Sequence, residues 1–327
     1  MGVESFYKLF EADKQVSLSD FKGKTFAIDA YYHIHRCISG MPYQNRLRNS
    51  KGEDTTHIHG INSLILNLYS NKINQIWVFD SGNINKKEEI EKRKERRKEN
   101  EMKAIQCEEE IKNIQCLAES VKIDSKDSDF DGLTEMIERE KVIEKLEKDT
   151  DKYKKRTLRV TNNMIKDVKF ILDQYNISWI DAPKNFEAEH IAACLNQKNI
   201  VDAVLTNDSD TLLFGAKQII KISKIKKKKV FLLYSLKNIS TKYKLDLNDL
   251  IKVGLCLGTD FNKKGVKGIG IKTVLKKYKI IASVQSEKQF IPGSIIFQSA
   301  LINGTNVYSR VGPVNIHLYH LLKHFEK

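Results

Sequence analysis

A chain of 327 residues, 41% of them hydrophobic, can bury one large core or two modest ones, and its formal charge of +14 favours a polyanionic partner. Four prolines argue against a linker-rich architecture, no apolar run approaches the roughly 18 residues that span a bilayer, and the N-terminus lacks the apolar stretch of a signal peptide. Five cysteines (Cys37, Cys107, Cys116, Cys194, Cys256), an odd number with no C-x-x-C pair, argue against structural zinc and a disulfide framework, so a soluble intracellular protein with reduced thiols is expected.

In chain order, Thr25 to Asp29 (TFAID) and Ile76 to Asp80 (IWVFD) are short apolar runs ending in aspartate. Lys86 to Lys103 is a helix too charged to lie in a core. Residues 105–152 show no strong period and are expected to be partly helical and mobile. The window from Glu101 to Asp151 holds 16 acidic against 8 basic residues, a local −8 that leaves +22 on the rest of the chain. Asn163 to Tyr175 is amphipathic, with Met164, Val168, Ile171 and Leu172 on one face. Ile177 to Ile180 and Val201 to Leu205 are two more apolar runs. The stretch KISKIKKKKVFLLYS reads as a β-hairpin whose lysine-rich turn, Lys226 to Lys229, is a solvated turn, a DNA-backbone contact or a nuclear-localisation signal. Leu250 to Leu257 is a short helix, another begins near Ile271, and residues 283–327 form a C-terminal extension. Strands alternating with helices indicate an α/β fold with a mostly parallel central sheet flanked by helices, whose ligand crevice lies outside the carboxyl ends of the strands.

That edge collects carboxylates. Asp29, Asp80 and Asp208 fall at strand ends, Asp210 lies two residues on, Glu187 and Glu189 open a helix, and Asp260 follows the Leu250 helix. Each has an ordinary reading by itself: Glu187 and Glu189 complement a helix dipole, and Asp260 is a loop residue. Together they are seven hard oxygen ligands without His or Cys, a set that selects Mg²⁺, with Mn²⁺ able to substitute, over zinc. Two such ions roughly 3.5–4 Å apart would clamp the attacking and leaving oxygens of an in-line phosphoryl displacement, so no Ser, Cys or His nucleophile is needed.

At this point the chain resembles the flap endonuclease / XPG superfamily of structure-specific 5′ nucleases, including the exonuclease-one type, over residues 1–104 and 153–282. The matching blocks are MGVESFYKLF, FKGKTFAIDAYYHIHR, GEDTTHIHGINSLILNLYSNKINQIWVFD, the run from KRTLRV through FEAEHIAACLNQKNIVDAVLTNDSDTLLFG, and LGTDFNKKGVKGIGIKTVLKKY, in family order. The resemblance implies a PIN-like nuclease core split by an arch or cap insertion at 105–152, the seven carboxylates as ligands of two Mg²⁺, and two basic residues, Lys86 and Arg93, at the scissile phosphate. Lys87 is the alternative to Lys86, because the segment after Asp80 is one residue shorter than the family pattern. It also implies DNA contacts at Gly2 and at His35, whose ring would stack on a base near the cut as in the exonuclease-one branch. In KGIG, Gly268 and Gly270 with Lys267 and Lys272 would form a helix-turn-helix variant that grips downstream duplex and can hold K⁺.

The chain departs from the pattern in its longer, more acidic insertion, and no sliding-clamp peptide is evident before Lys327. The expectation is a monomeric two-metal 5′ nuclease, flap-cutting or 5′–3′ exonucleolytic, that acts on branched, nicked or gapped DNA in repair, recombination or replication, in the nucleus or a viral replication compartment. The alternatives are an RNA-cleaving PIN-like nuclease and a non-catalytic DNA-structure binder.

Overall fold

The computed structural model describes residues 3, 6–80, 87–124, 130–183, 186–226, 228–258 and 265–284. Three expected site residues, Gly2, Lys86 and Asp260, lie outside them, as do residues 285–327. The chain forms two compact units, one of residues 1–34, 58–86 and 162–327 and one of residues 35–57 and 87–161.

The strands of the first unit are β1 (Lys14–Val16), β2 (Thr25–Asp29), β3 (Asn74–Phe79), β4 (Ser178–Asp181), β5 (Ala203–Leu205), β6 (Gln218–Ile225) and β7 (Lys228–Ser235). They make one sheet in the order β1-β7-β6-β5-β2-β3-β4. From β6 through β4 every neighbouring pair is parallel, while β7 runs antiparallel to both β6 and β1. Phe26 to Asp29 and Ile76 to Phe79 are buried without alternation, as strands covered on both faces require.

The helices in chain order are α1 (Phe6–Leu9), α2 (Ala30–Gly40), α3 (Thr56–Ser70), α4 (Lys87–Asp124), α5 (Phe130–Thr157), α6 (Asn162–Gln174), α7 (Ala188–Gln197), α8 (Asp210–Leu213), α9 (Leu236–Tyr243), α10 (Leu247–Leu257) and α11 (Ile271–Val284). The small buried residues Ala188, Ala192 and Ala193 let α7 lie close against β2 and β3. Phe6, Phe10, Trp77 and Phe214 anchor the core, each almost wholly buried. Helix α6 turns Val168 and Leu172 inward, the face expected from its period. Cys194 and Cys256 are buried free thiols.

Two local expectations are corrected. The lysine-rich turn of the β6–β7 hairpin is shorter than Lys226 to Lys229, because Lys224 pairs with Lys229 and Ile225 with Lys228. Lys226 takes φ of 48°, the left-handed conformation that tight hairpin turns need. Val201 packs in the core but lies before β5. Asp202 occupies the chain there, its backbone N–H donating to Thr25 and its carboxylate accepting from Thr25 N and Lys24 Nζ.

The second unit corrects a third. The described residues of 105–152 are helical throughout rather than in part: α4 runs through them to Asp124, and α5 from Phe130 packs back against it. Lys154 pairs with Glu108 across the hairpin, and Ala104 and Thr150 are buried. Lys, Glu and Gln are good helix formers, and packing of one helix on the other supplies what the weak apolar period withheld. The segment 35–57 joins this unit through Tyr43, whose N–H donates to Asp151 Oδ1 at 2.5 Å and whose ring faces Arg46 and Lys154. Arg46 is itself buried in an ion pair with Asp54.

Candidate metal centre and nucleic-acid interface

Six of the seven expected carboxylates are described, and all stand at the carboxyl edge of the parallel strands of the first unit. Asp29 ends β2, Asp80 follows β3, Glu187 and Glu189 begin α7, and Asp208 and Asp210 span the turn from β5 into α8. Backbone N–H groups hold four of them. Asp29 Oδ1 accepts from Tyr32 N at 3.0 Å, Asp80 Oδ1 from Ala188 N at 2.6 Å, Asp208 Oδ1 from Asp210 N at 3.0 Å, and Asp210 Oδ1 from Val3 N at 2.7 Å. Glu187 is the N-cap residue of α7 yet makes no side-chain cap hydrogen bond, so capping does not account for its position.

The carboxylates sense one another. Burial first, then the charges of Asp80 and Asp208, push Asp29 up to about 8 against the hydrogen bonds from Tyr32 and Thr206. Burial, then Asp208, Asp80, Asp29 and Glu187, raise Glu189 well above the carboxylate range. Like charges gathered in a desolvated crevice raise pKa in this way, and a cation reverses the effect. Among the described residues no three acidic, His or Cys side chains close a ligand cage as they stand. The residues present nevertheless fit a hard divalent cation: the donor set is all carboxylate, and Glu189 Oε2 is buried without a hydrogen-bond partner.

A pH dependence follows. A carboxyl whose folded pKa is raised favours folding while protonated, so its stabilisation is full below the unfolded value and lost as pH rises through the folded one. The metal-free protein is expected to melt at lower temperature as pH climbs from about 4 toward 8, the window set by Asp29. Mg²⁺ should restore more stability at pH 8 than at pH 5. Thermal melts in chelator and in Mg²⁺ across that range check this, and a chelated protein that gains stability on going from pH 5 to 8 would contradict it.

Arg93 and His35 belong to the second unit, where the structure brings them together. Both are exposed. The His35 imidazole is held below its ordinary pKa, first by partial desolvation and then by the Arg93 guanidinium. Lys267, Gly268 and Gly270 are exposed in the turn from α10 to α11, and Lys272 is exposed in the first turn of α11. Gly268 has φ of 82°, and a Cβ at Gly268 or Gly270 would meet nothing within 4 Å, so the backbone there is open to close approach. Gly265 is a different case: at φ of 53°, a Cβ would lie 2.4 Å from the Cys256 carbonyl oxygen, and only glycine fits.

Sequence reasoning passed over Thr206 and the backbone of Val3. Thr206 Oγ1 donates to Asp29 Oδ2 at 3.2 Å and accepts from Asp208 N at 3.0 Å, joining the ends of β2 and β5. A threonine ending a buried strand between two aspartates was the available signal.

Comparison with known proteins agrees with this geometry. The model of the XPG N-terminal domain matches residues 1–100, and that of the XPG I-region matches residues 176–260. Flap endonuclease 1 of Sulfolobus acidocaldarius is 31% identical over 288 residues, covering 83% of this chain and 72% of that protein. The solved flap endonuclease-1 from Methanococcus jannaschii superposes with a TM-score of 0.62 at 24% identity, over 91% of this chain and 84% of its own. The catalytic core of Rad2 in complex with a DNA substrate gives 0.57 at 25% identity, over 100% and 81%. Both halves of the split core, the order of the carboxylate motifs and the sheet that aligns them therefore lead to one conclusion: the chain belongs to the XPG/flap endonuclease family.

Proposed function

We propose that the chain is a Mg²⁺-dependent structure-specific 5′ nuclease that cuts branched, nicked or gapped DNA in repair, recombination or replication, with Mn²⁺ able to substitute. Membership of the family makes it a phosphodiester hydrolase acting on branched DNA. The observation that carries the finer reading is the meeting of carboxylates from β2, β3, α7 and the β5–α8 turn at one sheet edge, where Asp29 and Glu189 are raised by their neighbours' charge. Asp29, Asp80, Glu187, Glu189, Asp208, Asp210 and Asp260 would hold two ions, which when bound supply the positive charge that activates water and stabilises an in-line displacement at phosphorus. Tyr32 N and Thr206 Oγ1 hold the two oxygens of Asp29, and the Val3 N–H holds Oδ1 of Asp210, so these carboxylates are oriented before an ion arrives. Arg93 and one of Lys86 or Lys87 would neutralise the phosphate as charge builds, and His35 would stack on a base beside the cut. A monomeric state and a K⁺ ion in the α10–α11 turn belong to the same proposal.

The test is digestion of 5′-labelled flap, nicked, gapped and bubble DNAs with and without Mg²⁺, beside matched RNA flaps. Cleavage of DNA flaps near the branch, dependent on Mg²⁺ and far weaker on RNA, is expected. Metal-independent cutting, or preference for RNA, would overturn the reading.

The α10–α11 turn carries a prediction of its own. Reversing Lys267 and Lys272 to Glu should weaken duplex binding and flatten its salt dependence, with log K against log salt losing roughly 0.9 per phosphate contact removed. Cleavage at saturating DNA should change much less. An unaltered affinity and salt slope, measured by fluorescence anisotropy, would show that the duplex is gripped elsewhere.

A further inference from the structure

One buried polar group of the first unit has no place in the scheme so far. The Val3 N–H, bonded to Asp210, ties the start of the chain to the β5–α8 turn, and α1 follows at once with Tyr7. The Tyr7 ring packs at 5.8 Å from Phe6 and 4.9 Å from Tyr234, and the Lys221 ammonium lies 3.6 Å from its centroid. Lys221 Nζ has no hydrogen-bond acceptor or carboxylate partner among the described residues, so its contact with the ring face fixes the ring plane. The Tyr7 hydroxyl is buried and has no hydrogen-bond partner. The charges acting on it include those of Asp208 and Asp210, and with burial as the largest cause they keep the phenol protonated well above its ordinary range.

Packing alone does not explain a hydroxyl here. Phe6 and Phe10 fill the same core without one, and a buried O–H that lacks an acceptor is destabilising. A buried donor with nothing to donate to, on the helix whose entry is bonded to Asp210, makes sense where a ligand supplies the acceptor.

We propose that Tyr7 is a positioning residue for the Asp208–Asp210 arm of the metal site, its hydroxyl donating a hydrogen bond to the oxygen atoms that a bound divalent cation gathers there. The proposal rests on the metal reading of the carboxylates given above. Groups that hydrogen-bond the oxygens around a metal set their orientation, and losing one typically costs 10–100-fold in metal affinity. Tyr7 would act in this way on Asp208 and Asp210, with the Lys221 ammonium over its face holding the ring so that the O–H direction is fixed before the ion arrives.

The experiment is Mn²⁺ titration of the full-length protein without DNA, with free ion read by electron paramagnetic resonance. Tyr7→Phe keeps the ring and its contacts, and should weaken Mn²⁺ binding by about 10–100-fold. Its melting temperature in chelator should match that of the unsubstituted protein or exceed it, because a buried unsatisfied group is removed. Tyr234→Phe, whose hydroxyl is influenced by Asp13 rather than by the cluster, should bind Mn²⁺ normally. Asp208→Asn/Asp210→Asn should lose Mn²⁺ binding and so anchors the comparison. If that pair loses the ion while Tyr7→Phe retains full affinity, the role of Tyr7 is overturned alone. If the pair itself binds Mn²⁺ undiminished, the metal reading beneath it fails. A loss in Tyr7→Phe that is matched in Tyr234→Phe, or that accompanies a lower melting temperature in chelator, assigns the effect to packing and also overturns the proposal.

Discussion

Asp208→Asn/Asp210→Asn is expected to lower the cleavage rate by on the order of 10³-fold or more while leaving the protein folded and DNA binding intact. The substitution is nearly isosteric, and each asparagine keeps an Oδ1 able to accept from Asp210 N and from Val3 N, the two bonds that shape the turn. What it removes is negative charge. A cation that stabilises the transition state by roughly 4 kcal/mol gives about three orders of magnitude, at tenfold per 1.36 kcal/mol. In the absence of metal the loss of two like charges from a desolvated crevice should not lower the melting temperature, and DNA should bind as well or better because less negative charge faces the phosphates. Single-turnover cleavage of a labelled flap, a melt in chelator and an anisotropy titration separate these effects. Wild-type cleavage by the purified double variant would remove the metal assignment.

The second large effect is expected at Arg93. Arg93, Arg96 and Lys98 are all exposed on α4, so bulk attraction to DNA should barely register the loss of one. Arg93 differs in its neighbourhood: its charge is felt by His35, and its carbonyl accepts from Arg97 Nε at 3.1 Å. If Arg93 meets the phosphate where charge develops, Arg93→Ala should slow single-turnover cleavage about 10²–10³-fold with little change in affinity. Lys98→Ala is the charge-matched control and should cut almost normally. Small and equal effects from both would reduce this stretch of α4 to a DNA-steering surface.

How far the sequence foretold the molecule depends on where each signal resides. The runs TFAID and IWVFD became β2 and β3 because strands buried on both faces announce themselves as continuous apolar stretches with a polar residue where they emerge. Six carboxylates reached a common edge for the same reason, since each was fixed by the end of an element that could be read. β1 could not be foreseen: three residues, Lys14 to Val16, are a strand only because β7 offers them an edge. The lengths of α4 and α5 were hidden because their stability lies in pairing with each other, which a window along one helix does not see. Thr206 and Tyr7 escaped because their importance is a matter of what stands opposite, and an isolated threonine or tyrosine carries no periodic signal.

The pairing of α4 with α5 also bears on how the chain assembles. Phe79 and Ser178 flank the excursion that separates β3 from β4, yet these strands are direct neighbours in the sheet. Parallel neighbours that lie far apart in the chain form slowly, because the intervening loop must close before its contacts repay the entropy. A helical hairpin is a local structure, able to form early on its own contacts, and once formed it replaces most of a long floppy connection with a short effective one. Asp29 and Asp80 end strands that can pair before that closure, but Asp208 follows β5, which joins β2 only after it, so the carboxylate edge is among the last features to be completed. Uptake of a divalent ion would then mark a chain that has finished folding, and partly folded chains would be barred from cutting DNA.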